Sequence, residues 1–301
     1  MEREKFIESL LDALKNDPEL SRMTFRRDEF RKINVKYDAL IPEGNNNALP
    51  IINIDALCDR VQGDPKDFIP TFVEEYKEQV NHAKRFTNIT KKVGGDYADV
   101  KDCLFIRVNN KEDNMDFIPE NLPHSVPIDG ITMTYHILID TFGNDISSVP
   151  VNYSMMERWG VSEETLRADA IANSVSLFPP VLRDIGEMFG EQVNLHRIYC
   201  LTNKSSLNGA AALFYPGVMD QISSFTGGSF YALPSSIHEF VICKADENAA
   251  NEEDMKEMIK SINTNMVLQE TPEAYLSDNL YFYDSTTKAF TCRGAACGAD
   301  N

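Results

Sequence analysis

Segments of strand length come in adjacent pairs in this chain, and this pairing constrains its fold more than any other feature. Apolar residues alternate along each member of a pair, and a short turn-rich stretch joins the two members. Strands joined by such short turns pair antiparallel, since parallel strands need a long crossover. The pattern predicts an α+β fold with mostly antiparallel sheets from hairpins and packed amphipathic helices. The clearest pairs are 33–41 with 49–54, 131–139 with 146–151, and 280–283 with 289–292.

Amphipathic helices lie between these strand pairs. Residues 70–86 place apolar side chains at helical spacing, and Ser162 is a good N-cap for a helix that ends near Pro179. We also expect a short helix over residues 181–189. No glycine- or proline-rich linker divides the chain, so we predict one integrated unit over residues 1–292. Residues 109–127 are predicted to be a polar loop, which is also a possible domain boundary, and residues 293–301 are expected to be a disordered tail.

The charge balance narrows the classes of partner. The chain has 29 basic and 47 acidic residues, a formal net charge of −18. Direct nucleic-acid binding and binding to an anionic membrane need clustered Lys and Arg, so neither is expected. A protein partner stays open, and so does an acidic mimic of a nucleic acid that inhibits a basic protein.

Cysteine usage and hydropathy indicate the compartment. The six cysteines show no two-residue spacing of the kind found in zinc or redox motifs, which predicts free thiols. The N-terminal segment has no apolar signal-peptide block, and no apolar run approaches the length needed to span a bilayer. We therefore expect a cytoplasmic protein that does not enter membranes.

The stretch 201–243 has the densest cluster of polar and turn-forming residues. Apolar runs at 199–201 and 210–214 predict strands on either side of a Ser- and Asn-rich loop, and Pro216 suits the first turn of a helix. Two further strands, 229–233 and 237–243, follow around a Pro-Ser-Ser turn. Within this stretch, Asn208 and Tyr215 are candidate ligand-binding residues.

The same stretch contains the candidate catalytic residues. Ser235 or Ser236 as nucleophile, His238 as base and Glu239 as acid would supply the residue types of a hydrolase triad. Alternation along a strand points His238 and Glu239 to opposite faces, however, and no Gly-x-Ser-x-Gly elbow is present. A hydrogen-bonded core histidine and turn-capping serines are the competing interpretation.

Several segments together resemble a family of uncharacterised bacterial proteins that is known only as a domain of unknown function. The resemblance extends from the first helix to about Tyr283, and it implies no cofactor and no catalytic residue. The segments that carry it are Trp159-Gly160-Val161-Ser162-Glu163-Glu164, Leu201-Thr202-Asn203-Lys204, Asn208-Gly209-Ala210-Ala211, Tyr215-Pro216-Gly217 and Leu233-Pro234-Ser235-Ser236-Ile237-His238-Glu239.

No motif identifies a cofactor or a metal. The five histidines are dispersed, and no Gly-x-x-x-x-Gly-Lys loop is present, so we expect no metal and no cofactor. Trp159, the only tryptophan, is a further candidate ligand-binding residue or a core residue. We predict a non-catalytic binding or regulatory protein that acts through a protein or small-ligand contact. The alternatives are the hydrolase that uses Ser235 or Ser236 with His238, and the acidic mimic.

Overall fold

A computed structural model describes residues 2–44, 49–85, 94–142, 145–186, 198–246 and 251–294. Clustering of its contacts divides the chain into two compact units, residues 1–94 and residues 95–301. All sheet pairings between the described strands are antiparallel, which confirms the α+β class. The helices are α1 (Arg3–Asn16), α2 (Ile54–Arg60), α3 (Pro65–Arg85), α4 (Tyr97–Val100), α5 (Ile118–Asn121), α6 (Tyr153–Trp159), α7 (Glu163–Leu177), α8 (Val218–Thr226), α9 (Glu252–Ile262) and α10 (Leu268–Glu270).

The strands form three sheets. The strands are β1 (Phe25–Lys32), β2 (Val35–Pro42), β3 (Ile52–Asn53), β4 (Leu104–Asn110), β5 (His124–Ile128), β6 (Ile131–Phe142), β7 (Asp145–Pro150), β8 (Pro180–Asp184), β9 (Ile198–Asn203), β10 (Phe230–Ser236), β11 (Glu239–Lys244), β12 (Tyr281–Tyr283) and β13 (Phe290–Cys292). The first unit contains a three-stranded sheet in the order β1-β2-β3. The second unit contains two sheets. In the four-stranded sheet, β6 pairs with β4 on one side and with β5 and β7 on the other, and the six-stranded sheet has the order β13-β12-β10-β11-β9-β8.

The first unit has its own apolar core. The inner faces of α1 and α3 pack with residues of β2, β3 and α2, and Leu10, Leu40 and Ile54 have no exposed surface. Tyr76 of α3 is buried among them and donates its hydroxyl to the carbonyl of Pro50 at 2.8 Å, so its polar group is satisfied. The buried face of α3 confirms the amphipathic pattern that predicted a helix over residues 70–86.

In the second unit, α7 runs along the edge of the four-stranded sheet. Ser162 accepts a hydrogen bond from the backbone N–H of Thr165, which confirms the predicted N-cap. Near the other end of α7, the Ser174 hydroxyl accepts the free edge N–H of Ile106 at 2.9 Å and donates to the carbonyl of Ala170. The helix thereby satisfies a backbone group that an edge strand leaves open. A second cluster, with Leu233, Met255 and Ile259 at its centre, packs α9 onto β10 and β11.

Three predictions about local structure are wrong. The apolar run 210–214 is the 3₁₀ helix Gly209–Phe214, because its alanines and Leu213 are buried all round and do not alternate. The expected helix at 181–189 is the strand β8 over its first residues, and residues 187–189 lie outside the described part. The stretch 109–127 is no loop, since it contains the end of β4, a 3₁₀ turn, α5 and most of β5.

Two further predictions have partial outcomes. Cys58, Cys103, Cys200 and Cys243 are free thiols, but Cys292 is disulfide-bonded, so the prediction of free thiols is wrong there. The tail 293–301 lies outside the described residues from position 295 onwards. None of the described helices combines the length and apolar character that crossing a membrane requires.

The prediction of one integrated unit over residues 1–292, or of a boundary within 109–127, stays a prediction, and calorimetry tests it. Leu10→Ala removes a side chain with no exposed surface from the first core, which we expect to cost about 2–5 kcal/mol. If the chain is one unit, a single heat-capacity peak moves to lower temperature as a whole. Two peaks, of which only one moves, would contradict it.

Candidate functional site

The turn between β10 and β11 is held by backbone hydrogen bonds from two other segments. The Ile237 carbonyl accepts from the N–H of Ala210, and the Ile237 N–H donates to the carbonyl of Ala274 at 2.8 Å. Next to it, the Thr202 hydroxyl donates to the carbonyl of His238 at 2.9 Å. The turn is therefore fixed in place by β9, by the 3₁₀ helix that follows it and by the segment before β12.

Gly209 makes this packing possible. A Cβ atom at this position would lie 2.6 Å from the carbonyl oxygen of His238, 2.7 Å from the backbone nitrogen of Asn203, and closer still to the hydroxyl oxygen of Thr202. Two of these atoms belong to the backbone and cannot rotate away. Only glycine fits, which explains the Asn-Gly sequence at the start of the 3₁₀ helix.

The structure brings together two of the candidates, Asn208 and His238. The ring Nδ1 of His238 accepts the backbone N–H of Asn208 at 3.0 Å, so the neutral ring carries its proton on Nε2. Burial lowers the pKa of His238, Glu239 and Glu273 raise it, and Arg107 lowers it further. His238 as a whole is half-buried.

The catalytic candidates do not form a triad. The Ser236 hydroxyl accepts the backbone N–H of His238 at 3.0 Å, as expected of a turn-capping serine. The Ser235 hydroxyl donates to Glu239 at 3.4 Å, and the Cys200 thiol donates to the other Glu239 oxygen at 3.2 Å. Among the described contacts, neither serine reaches the His238 ring. Glu239 and His238 thus have separate partners. The prediction of a strand from 237 is wrong, because Ile237 and His238 form the turn, Pro234–Ser236 end β10, and β11 begins at Glu239.

The remaining ligand-binding candidates lie apart from this turn. Tyr215 is 3% exposed and lines an open pocket of about 280 Å³. In that pocket Asp220 accepts from the Tyr283 hydroxyl at 2.6 Å and from Lys288 Nζ at 3.1 Å, so its polar groups pair with one another. Trp159 packs against Tyr97 and donates its indole N–H to the carbonyl of Gly95 at 3.0 Å, a structural role.

Arg107, which was not among the candidates, is the most unusual charged group near His238. Burial lowers the pKa of its guanidinium to about 10, and Nε has no exposed surface. No hydrogen bond or ion pair joins the guanidinium to any residue that the structure describes. Its visible stabilising contact is the Phe105 ring, whose centroid lies 5.5 Å from Cζ. A buried cation without a carboxylate is costly.

The residues around Arg107 form a polar face on the four-stranded sheet. The register pairs Arg107 with Thr134 and Phe105 with His136, and alternation places all four on one face with Asn109. Both Thr134 and His136 are buried. A polar face of this kind is unusual in an interior, because buried polar groups must find partners.

The hydrogen-bond chain across this face assigns the His136 tautomer. Asn109 Nδ2 donates to the Thr134 hydroxyl at 2.9 Å, and that hydroxyl lies 3.0 Å from His136 Nε2. If the hydroxyl donates to Nε2, the Asn109 and Thr134 protons both have acceptors, and the ring proton is on Nδ1. In the other tautomer the Thr134 proton would have no acceptor, and Nδ1 would be an unpaired acceptor. His136 Nδ1 and Arg107 Nε are both buried and have no hydrogen-bond partner, and in the favoured tautomer Nδ1 is a donor.

We call Arg107, Asn109, Thr134, His136 and His238 the Arg107 site. Burial holds the pKa of His136 well below its usual value, with a further contribution from Arg107, so both histidines are neutral near pH 7. The site therefore combines one positive charge with neutral hydrogen-bond donors. No group of three or more metal-ligating side chains occurs among the described residues.

Sequence reasoning missed the Arg107 site for a specific reason. Alternation in β4 marks Arg107 and Asn109 as one face of a strand, which by itself suggests a solvated face. The available signal was that Thr132, Thr134 and His136 alternate with large apolar residues in the other strand. If the two strands pair, their polar residues form one common face.

Comparison with known proteins supplies a family and no activity. A model described as a family of unknown function, DUF5688, matches residues 3–285. No curated protein and no solved structure matches the chain.

The close approach at Gly209 can be tested with a matched glycine. We expect Gly209→Ala to lower the free energy of unfolding by about 3 kcal/mol, because two backbone atoms must move. Gly160→Ala is the control, since its added Cβ meets open space and only the left-handed backbone is strained, at about 1 kcal/mol. Urea denaturation measures both; equal losses would refute the packing argument.

Burial of neutral His136 predicts the direction of a pH dependence. Below about pH 6.5 the unfolded chain binds a proton at this histidine that the folded protein does not. Stability should therefore fall as the pH drops below 6.5, by about 1.4 kcal/mol per unit for this group. In His136→Gln, the free energy of unfolding should fall less steeply between pH 6.5 and 5.5, because unfolding takes up about one proton fewer. An unchanged slope in urea titrations would show that His136 is not the group.

Proposed function

We propose, for a chain that belongs to this family of unknown function, a non-catalytic role as a binding protein whose Arg107 site holds a small anionic ligand. One observation carries the proposal: Arg107 Nε and His136 Nδ1 are buried nitrogens without hydrogen-bond partners on one face of one sheet. Buried donors are nearly always satisfied in folded proteins, so such a pair points to an acceptor that arrives with a ligand.

The charge of the site supports an anion. Arg107 keeps its positive charge at neutral pH, since its lowered pKa of about 10 is still well above 7. An anion would restore the Coulomb energy that the guanidinium lacks and would accept the free N–H groups. Arg107 and His238 are each half-buried as whole residues, and the charge of Arg107 acts on the His238 ring, so we place the approach of the ligand on the side of His238.

The geometry also supports binding over hydrolysis. A serine nucleophile needs its hydroxyl within hydrogen-bond reach of a base. The Nδ1 atom of His238 is occupied by the Asn208 backbone, and both serines have other partners. Burial and Glu239 raise the pKa of the Cys200 thiol to about 12, so this cysteine is a poor nucleophile. We also propose a cytoplasmic location, and a partner protein that binds the ligand-bound form.

Titration with simple anions tests the proposed function. We would add acetate, sulfate or phosphate as the sodium salt at constant ionic strength. At least one of these anions should raise the melting temperature of the wild-type protein, and the rise should saturate with concentration. Arg107→Met should abolish that rise. Without ligand, Arg107→Met should be more stable than wild type by about 1–3 kcal/mol, because an unpaired buried charge has been removed.

The matched control is Arg293→Met. Arg293 also stacks on an aromatic ring, with Cζ 4.9 Å from the Phe282 centroid, but it is exposed. This variant should keep the anion-dependent rise. No rise with any anion, or the same rise in Arg107→Met, would overturn the proposal. Ester turnover that is lost in Ser235→Ala would support the hydrolase instead.

A further inference from the structure

An open pocket lies in the second unit where the 3₁₀ helix Gly209–Phe214, the start of α8 and the hairpin of β12 and β13 meet. Its volume of about 280 Å³ is just below the roughly 300 Å³ at which pockets for drug-sized molecules begin. The pocket shares no residue with the Arg107 site. It therefore offers space for a small organic molecule at a second, separate place.

Lys288 reaches this pocket from an unusual backbone conformation. Its φ of 57° is left-handed, a region that glycine and asparagine adopt more easily than lysine. Its ammonium contacts Asp220 at 3.1 Å, but the two side chains are 67% and 51% exposed. An exposed ion pair contributes little to stability. A lysine that costs conformational free energy without a matching gain in stability points to a functional role.

Asp220 and Lys288 keep hydrogen-bonding capacity that their mutual contact does not use. The Asp220 carboxylate accepts from the Tyr283 hydroxyl at 2.6 Å and from Lys288 Nζ, whereas a carboxylate can accept about four hydrogen bonds. The ammonium likewise has more N–H groups than this one bond requires. Spare acceptors on one side chain thus lie next to spare donors on the other, at the wall of the pocket.

The charges around the pocket favour a neutral ligand. The negative charge of Asp220 and the positive charge of Lys288 compensate each other. An anion is disfavoured, because Asp284 also acts on the Tyr283 hydroxyl and because the second unit has more acidic than basic residues. A cation would have to displace the Lys288 ammonium from its carboxylate. A neutral molecule with adjacent donors and acceptors can bind both groups while their ion pair stays intact.

We propose that this pocket binds a neutral polyhydroxy compound of monosaccharide size, whose neighbouring hydroxyls pair with Asp220 and Lys288. A hydroxyl both donates and accepts, so one can donate to the carboxylate while its neighbour accepts from the ammonium. Phe214 and Met219 are half-buried in the pocket wall, and the C–H groups of such a ring can bury apolar area against them. The Phe214 ring is itself held by an edge contact with Phe290, with 6.2 Å between the centroids.

Ligand-observed NMR of the full chain tests this site with D-glucose, D-galactose, D-mannose and myo-inositol as neutral polyols. Cyclohexanol has a six-membered ring with a single hydroxyl, and butyrate and butylammonium each have a charge without a hydroxyl. At least one polyol should bind saturably and at least about tenfold more tightly than cyclohexanol, since a hydrogen bond to a charged group contributes about that factor or more. No saturable polyol binding, or binding of cyclohexanol or a charged probe as tight as that of the best polyol, would overturn the proposal.

Lys288→Asn separates ligand binding from stability. Asparagine tolerates the left-handed conformation, so the melting temperature should not fall, whereas polyol affinity should fall at least about tenfold because the ammonium donor is lost. Unchanged polyol affinity would contradict the site. A lower melting temperature in this variant would show that the lysine serves stability, which would remove the functional reason for its conformation.

The matched control is Lys36→Asn in the first unit. Lys36 forms a similarly exposed ion pair with Glu29 at 3.0 Å, so the same substitution removes the same kind of charge away from the pocket. Polyol binding should stay unchanged in this variant. An equal loss in both variants would place the polyol outside the pocket and refute the assignment. The wild-type comparison of polyols, cyclohexanol and charged probes decides the ligand class even if Lys288→Asn does not fold.

Discussion

The close contact at Gly209 is the constraint on which the rest of the site depends. It lets the backbone after β9 lie directly against the turn at His238, and the Ala210 N–H then holds the Ile237 carbonyl. The adjacent Asn208 N–H is thereby placed on His238 Nδ1 at 3.0 Å. A side chain at position 209 would push these segments apart. The tautomer of His238 therefore depends on the absence of one Cβ atom at position 209.

The polar face of the four-stranded sheet has the opposite character, because it is incompletely satisfied. Asn109, Thr134 and His136 form a chain in which each donor finds an acceptor until the last N–H. Removing Arg107 from this face would relieve an unpaired charge and should stabilise the empty protein, so stability alone does not account for it. Binding sites are places where folded proteins retain groups that destabilise the unliganded state.

Much of the fold could be predicted from the sequence, and particular residues explain the rest. The hairpins of β6 with β7, β10 with β11 and β12 with β13 follow from alternation and turns, which are local signals. Strand β1 was missed because its residues are mostly charged, and cross-strand pairs such as Arg27 with Asp38 stabilise it. The 3₁₀ helix at Gly209–Phe214 was read as a strand since a short, fully buried apolar run has no period.

The candidate site was predicted only in part, for a related reason. His238 and Asn208 lie in a stretch dense with turn signals, so the sequence could point to them, but it placed His238 on a strand when this residue belongs to the turn. Arg107 is distant in sequence from that stretch, and its importance comes from missing partners. A missing partner is a property of the folded interior, and no local pattern encodes it.

The distribution of charge sets how an anion reaches this site. Residues 95–301 include 13 basic and 30 acidic residues, whereas residues 1–94 include 16 basic and 17 acidic residues. Nearly all of the net negative charge therefore belongs to the unit that contains Arg107. At physiological ionic strength this field is screened beyond about 8 Å, so distant carboxylates have little effect on an anion, and only the charges close to the site act on it. If the proposed function holds, the affinity for an anion must come from direct contact with Arg107, because the net charge of the unit that contains it is negative. The unpaired guanidinium is then the group that overcomes the unfavourable charge of its own unit.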